Sequence, residues 1–151
     1  MRSLPRRQFL TTATLSAGAA MAAGRVAWSA ENPPPSLQSF DKVEAQQFPW
    51  GWIRWLMNAE LDPAAEMTLG IVHIEPNQTN PAHIHPNSAE YLHVLAGSCE
   101  HRVGEQWVAL KIGDTLRIPK GVVHQARTKD QSCRALLVYD TGKRQMAPVK
   151  E

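Results

Sequence analysis

The chain has 151 residues, 43% of them hydrophobic and 20% charged, which is the size and composition of one domain with room for one core. Four of its sixteen basic residues (Arg2, Arg6, Arg7 and Arg25) precede the first acid, Glu31; twelve bases then face fourteen acids, so the formal +2 of the whole becomes a net −2 beyond residue 30. No long basic run remains in that part, so there is no footprint for gripping nucleic-acid phosphates.

The chain begins with what reads as an address. Pro5-Arg6-Arg7-Gln8-Phe9-Leu10 resembles a twin-arginine export signal, although Pro5 and Thr11 depart from its usual Ser or Thr and its usual basic residue. A weakly hydrophobic stretch from Leu10 to Gly24 follows and is interrupted by Arg25. It is too short and too rich in small residues for a membrane span. Cleavage is expected within Ala27-Trp28-Ser29-Ala30, with the bond after Ser29 preferred because Trp28 fits poorly three residues before a cut at Ala30. Residues 1–30 are thus expected to be a leader. It implies a bacterial periplasmic or secreted protein, the twin-arginine machinery as a partner, and no stable membrane span after cleavage. Residues 31–36 hold Pro33-Pro34-Pro35, a stiff extended linker that no helix can cross.

The folded part is expected over residues 37–140. Phe48 to Met57 holds three of the five tryptophans, and its aromatic and β-branched content favours a strand. Alternation would put Trp50, Trp52, Arg54 and Leu56 on one face. Most of these residues read as core and edge packing, while Trp52 and Arg54 are also candidates for an aromatic wall and a cation beside a ligand pocket. Glu66 to Glu75 alternates as a strand through Met67, Leu69, Ile71 and His73. His73 either lines the interior, where it would touch substrate, or faces out.

Further short strands are expected at His83 to His85, Glu90 to Ala96, Cys99 to Val103, Gln106 to Leu110, Thr115 to Pro119, His124 to Thr128 and Ser132 to Tyr139, with Gly or Pro at the corners. No stretch beyond residue 30 has a long helical period. The pattern is that of an all-β sandwich or barrel. Residues 141–151 read as a polar tail, mobile unless it covers a partner. Cys99 and Cys133 each lie on a strand; two separate buried thiols are expected, with a disulfide permitted.

The chemistry concentrates at Pro81 to Tyr91. His83 and His85 share one side of an extended backbone, and Glu90 opens the next strand. Two imidazoles and a carboxylate from neighbouring strands suit a first-row divalent metal. Glu90 is also the one candidate for a base, as a carboxylate able to detach from a metal. His93 and Tyr91 alternate away from Glu90, Gln125 and Arg127 alternate away from His124, and His101, on a polar strand beside a turn, is expected to be exposed.

Two elements, His83-x-His85-x4-Glu90-x6-Gly97 and Gly113-x5-Pro119-x-Gly121-x2-His124, resemble the paired signature motifs of the cupin superfamily. Asn77 stands where the first motif usually starts with Gly, and Thr128 where the second often ends with Asn. The resemblance, covering about residues 66–140, implies a double-stranded β-helix, or jelly-roll barrel, in which His83, His85, Glu90 and His124 converge on one divalent transition metal (Fe, Mn, Ni, Cu or Zn). It further implies a metal-dependent oxidoreductase of dioxygenase type acting on a small oxygenated or phenolic compound. An isomerase or lyase, or a non-catalytic module for a small ligand or sugar, share the same ligands. A homodimer is expected on the same basis.

Overall fold

The structure, a computed structural model, describes residues 35–150; the leader, its cleavage site and residues 31–34 of the linker lie outside the described residues. Ten strands follow in chain order: β1 Gln46–Phe48, β2 Gly51–Met57, β3 Thr68–Ile74, β4 His83–Ile84, β5 Glu90–Val103, β6 Gln106–Lys111, β7 Thr115–Ile118, β8 His124–Arg127, β9 Cys133–Tyr139 and β10 Ala147–Pro148. A 3-10 turn, Phe40–Lys42, precedes them among the described residues. Among the described residues no helix is long and apolar enough to cross a membrane.

The strands form two curled antiparallel sheets joined through one long strand. The first half of β5 pairs with β7 and β9, and β9 continues through β3 and β2 to β1. The second half of β5 pairs with β6 and β8, and β8 continues through β4 to β10. The apolar inner faces close on a core of Val72, Ile74, Leu92, Val94, Ala135 and Leu137. This is the jelly-roll barrel that the resemblance implied, within the sandwich-or-barrel class expected from the strand spacing.

β5 was expected as two strands broken at Gly97 and is one. Its pairing with β9 shifts register between Val94 and Ala96. Gly97 takes φ +69°, and a Cβ there would collide with the Ser132 carbonyl oxygen. The bulge changes the phase of the strand: Glu90, Leu92 and Val94 are buried before it, Cys99 and His101 after it. A second phase change occurs at Gly51, whose φ of +146° separates Trp50 from the alternation of β2. Trp50 is therefore buried in the core, with the half-buried Ile53 and Trp55 packed against that core, and is not on the face of Trp52 and Arg54.

The two departures from the signature motifs preserve one corner. Asn77 adopts φ +58°, a left-handed conformation that Asn tolerates better than most residues. Thr128 Oγ1 donates to the Glu75 carbonyl at 2.5 Å and accepts from the Gln78 amide at 3.1 Å, tying down the same loop.

The C-terminal segment is not a free tail. β10 pairs with β4 in the register Ala147↔Ile84 and Pro148↔His83, and the Val149 amide donates to the Ala82 carbonyl at 3.0 Å. Cys99 and Cys133 are free and buried. Their thiols sit against one another, and that contact together with burial keeps Cys99 protonated.

Candidate metal centre

Neighbouring strands bring the four residues together. His83 on β4 lies opposite His124 on β8, and His124 lies in turn opposite Val103 on β5. His85 follows β4 by one residue, its carbonyl accepting from the Gly121 amide at 2.9 Å, which links the two signature motifs directly. Glu90 opens β5 between Ile118 of β7 and Tyr139 of β9. One ligand atom from each of His83, His85, Glu90 and His124 falls within 4.8 Å of all the others.

The imidazoles are held in the orientation a metal needs. Each Nδ1 faces a backbone carbonyl: Pro81 for His83 at 2.8 Å, Gln145 for His85 at 2.7 Å, and Val122 for His124 at 2.8 Å. A ring that donates from Nδ1 carries its lone pair on Nε2 and turns it toward the centre. There His85 Nε2 lies 3.0 Å and His124 Nε2 3.3 Å from Glu90 Oε2. His124 Nε2 is buried and out of hydrogen-bonding alignment with any partner. Lone pairs crowded on a carboxylate in a buried site call for a cation. The nitrogen and oxygen donors, with no thiolate, suit Fe, Mn, Ni, Cu or Zn.

A proton on Nε2 can take the cation's place beside Glu90, and the electrostatics reflect that competition. Burial alone would raise Glu90, but the imidazoles of His124 and His85 hold it well below the usual carboxylate range. Burial and the neighbouring His124 push His83 down to about 4, leaving it a neutral donor. Burial pulls His124 down too, but the Glu90 carboxylate more than reverses this. Tyr139 is raised well above its ordinary value by burial and by the charge of Glu90, so its hydroxyl stays protonated beside that carboxylate.

The centre opens into a cavity of about 270 Å³ walled by Phe48, Trp50, Trp55, Leu92, Leu137 and Tyr139. Arg144, Met146 and Pro148 of the C-terminal segment line it as well. His101 also lines it, correcting the expectation that it is exposed. It is 2% exposed, its ring stacks 5.9 Å from that of His124, and burial pushes it down to about 4. The bulge at Gly97 turns it inward.

Trp52, Arg54 and His73, by contrast, do not reach the cavity. They lie on the outer face of the β2–β3 pair: Gly51 resets the phase of β2, and His73 on β3 is the register partner of Trp52. There Trp52 stacks on His73 at 5.3 Å, and Arg54 covers the Phe40 ring and donates to its carbonyl at 2.7 Å. His93 stays outside the ligand group, 2.8 Å from Thr115 Oγ1.

Residues 70–139 match the family described as Cupin domain. No curated protein matches the sequence. Among solved structures, the oxalate decarboxylase of Lactobacillus farciminis in its formate complex is similar with a TM-score of 0.67 at 20% identity, over 72% of this chain and 34% of that one. The Bacillus subtilis oxalate decarboxylase at pH 4.6 gives 0.64 at 16%, over 70% and 29%. The chain thus spans about a third of these decarboxylases. The polyketide cyclase RemF from Streptomyces resistomycificus gives 0.67 at 23%, over 78% of this chain and 87% of that one. These likenesses speak for the fold. With the ligand group inside the span that matches the Cupin domain family, the chain folds as a cupin β-barrel and carries three histidines and one glutamate grouped so that they could hold a metal ion.

Proposed function

We propose that this protein is a metal-dependent enzyme of dioxygenase type acting on a small oxygenated or phenolic molecule. The observation that carries the reading is the grouping of His83, His85, Glu90 and His124, three of which (His83, Glu90 and His124) line an aromatic-walled cavity. A divalent ion held by these four would supply Lewis acidity and, if redox-active, electron exchange with O₂. The rings of Phe48, Trp50, Trp55 and Tyr139 orient a flat molecule and keep water from it. Glu90 Oε2 is the atom that accepts a proton if the carboxylate leaves the ligand group, and the Tyr139 hydroxyl steadies it.

The test is metal analysis followed by O₂ uptake with a panel of phenols. Metal-dependent uptake that disappears in Glu90→Gln supports the reading. A second reading, cyclisation or isomerisation by Lewis acid alone, is favoured by the likeness to a polyketide cyclase over most of that protein's length; turnover under nitrogen with unchanged metal content would select it. Ligand binding that is unaffected in His124→Ala, without turnover, would mark a binding module instead.

Export belongs to the same proposal and rests on Arg6-Arg7-Gln8-Phe9-Leu10. Folding before transport would let the site load its metal inside the cell, away from competition by tighter-binding copper and zinc. Residues 1–36 fused to a folded reporter should deliver it outside the cytoplasm, and an Arg6→Lys, Arg7→Lys version should not. Pairing into a homodimer is the expected assembly, checked by light scattering.

A further inference from the structure

We propose that the cavity's ligand is a flat aromatic anion of one or two rings, with its acidic group on Arg144 and an oxygen substituent turned inward to His101. This deepens the metal-enzyme reading and rests on it.

The walls set the body of the ligand. An apolar cavity of about 150 Å³ is enough to take benzene, so about 270 Å³ accommodates one or two rings. A sugar would bring hydroxyls on every side and find mostly indole, phenyl and aliphatic surface to leave them unpaired against.

Two polar groups then fix its ends. Neither ring nitrogen of His101 has a hydrogen-bond partner among the described residues, although the side chain is 2% exposed and lines the cavity. A buried imidazole with one donor and one acceptor left unmade is costly. A hydroxyl substituent can both give and take a hydrogen bond there. Because His101 stacks on His124, that oxygen would lie beside the ligand group.

Arg144 is the one lysine or arginine among the cavity's lining residues. Its guanidinium lies 4.5 Å from the Trp55 ring and 5.3 Å from the Tyr139 ring, with no hydrogen bond or ion pair to any described residue. The next residue, Gln145, accepts from His85, so the segment presenting Arg144 is anchored at the centre. A guanidinium stacked on aromatic rings, with its donor edge free, is suited to a carboxylate.

The test is calorimetric titration of the full metal-loaded protein at neutral pH with 6-hydroxy-2-naphthoate, 2-naphthoate and 2-naphthol, with metal content and melting temperature measured in parallel. The hydroxy acid should bind about tenfold or more tighter than naphthol, and tighter than plain naphthoate. Arg144→Gln should remove the preference for the acid and leave naphthol binding and metal content as they were. His101→Phe should bring the hydroxy acid down to the level of naphthoate. Absence of hydroxy-acid binding at millimolar concentration, equal affinity for acid and naphthol in the unmodified protein, or unchanged acid binding in Arg144→Gln overturns the proposal. Equal affinity for hydroxynaphthoate and naphthoate in the unmodified protein overturns the part assigned to His101 without recourse to a variant. Each of these outcomes with metal bound leaves the metal-enzyme reading standing; an unmodified protein that binds no metal sinks that reading separately.

Discussion

His85 Nδ1 and the backbone carbonyl of Gln145 lie 2.7 Å apart, so the last segment of the chain fastens one ring of the candidate metal group by the nitrogen turned away from its centre. Truncation after Gly142 removes that carbonyl but keeps the Thr141 carbonyl that accepts from Thr68 and the Gly142 carbonyl that accepts from Ala59. Loss of such a supporting hydrogen bond typically costs about 10–100-fold in metal affinity. A competition titration with a chromophoric chelator should show a drop of that order in the truncated protein, with the barrel still folded by circular dichroism.

Gly97 should tolerate no side chain. Gly97→Ala would have to move the Ser132 carbonyl and hold alanine at φ +69°. The expected loss is about 2 kcal/mol or more in urea unfolding, with metal affinity weakened as well because His101 and the β5–β8 pairing follow the bulge. Gly104→Ala is the control: its φ is also positive, at +61°, but nothing lies within 4 Å of a Cβ there, so the cost should be smaller.

Acidification should weaken the chelated protein within a defined window. His83 and His101 are each pushed down to about 4 from 6.5, chiefly by burial. Between those values the unfolded chain binds protons that the folded chain does not, so stability rises with pH through this range. The part due to these two histidines should therefore be fully present above about pH 6.5 and decline toward pH 4, while the raised His124 acts in the opposite sense above pH 6.5. Unfolding followed by tryptophan fluorescence at several pH values checks this. His101→Phe should flatten the dependence.

Much of the centre was legible in the sequence, and the reason is geometric. Two histidines one residue apart on a strand, a carboxylate opening the next strand, and a histidine after a Gly-Pro-Gly corner carry their spatial relation in their spacing. His101 was not legible, because its direction depends on a bulge that adds one residue to β5 and inverts the alternation beyond it. The same kind of slip, at Gly51, made Trp52 and Arg54 look inward when the interior belongs to Trp50, Ile53 and Trp55. The C-terminal segment was hidden for a different reason. Its anchoring runs through the carbonyls and amides of Gln145, Ala147 and Val149, which carry no side-chain signature, and Arg144 resembles any surface cation until Trp55 and Tyr139 are seen beneath it.

The most direct test of the metal centre is metal content and binding in the purified full chain beside His124→Ala. The protein, prepared without chelators, should carry close to one equivalent of a divalent transition metal. After stripping, it should rebind one ion with a rise in melting temperature, and His124→Ala should lose most of both. An unmodified protein that binds Fe, Mn, Ni, Cu and Zn no more tightly than His124→Ala, with no thermal shift, would contradict the account.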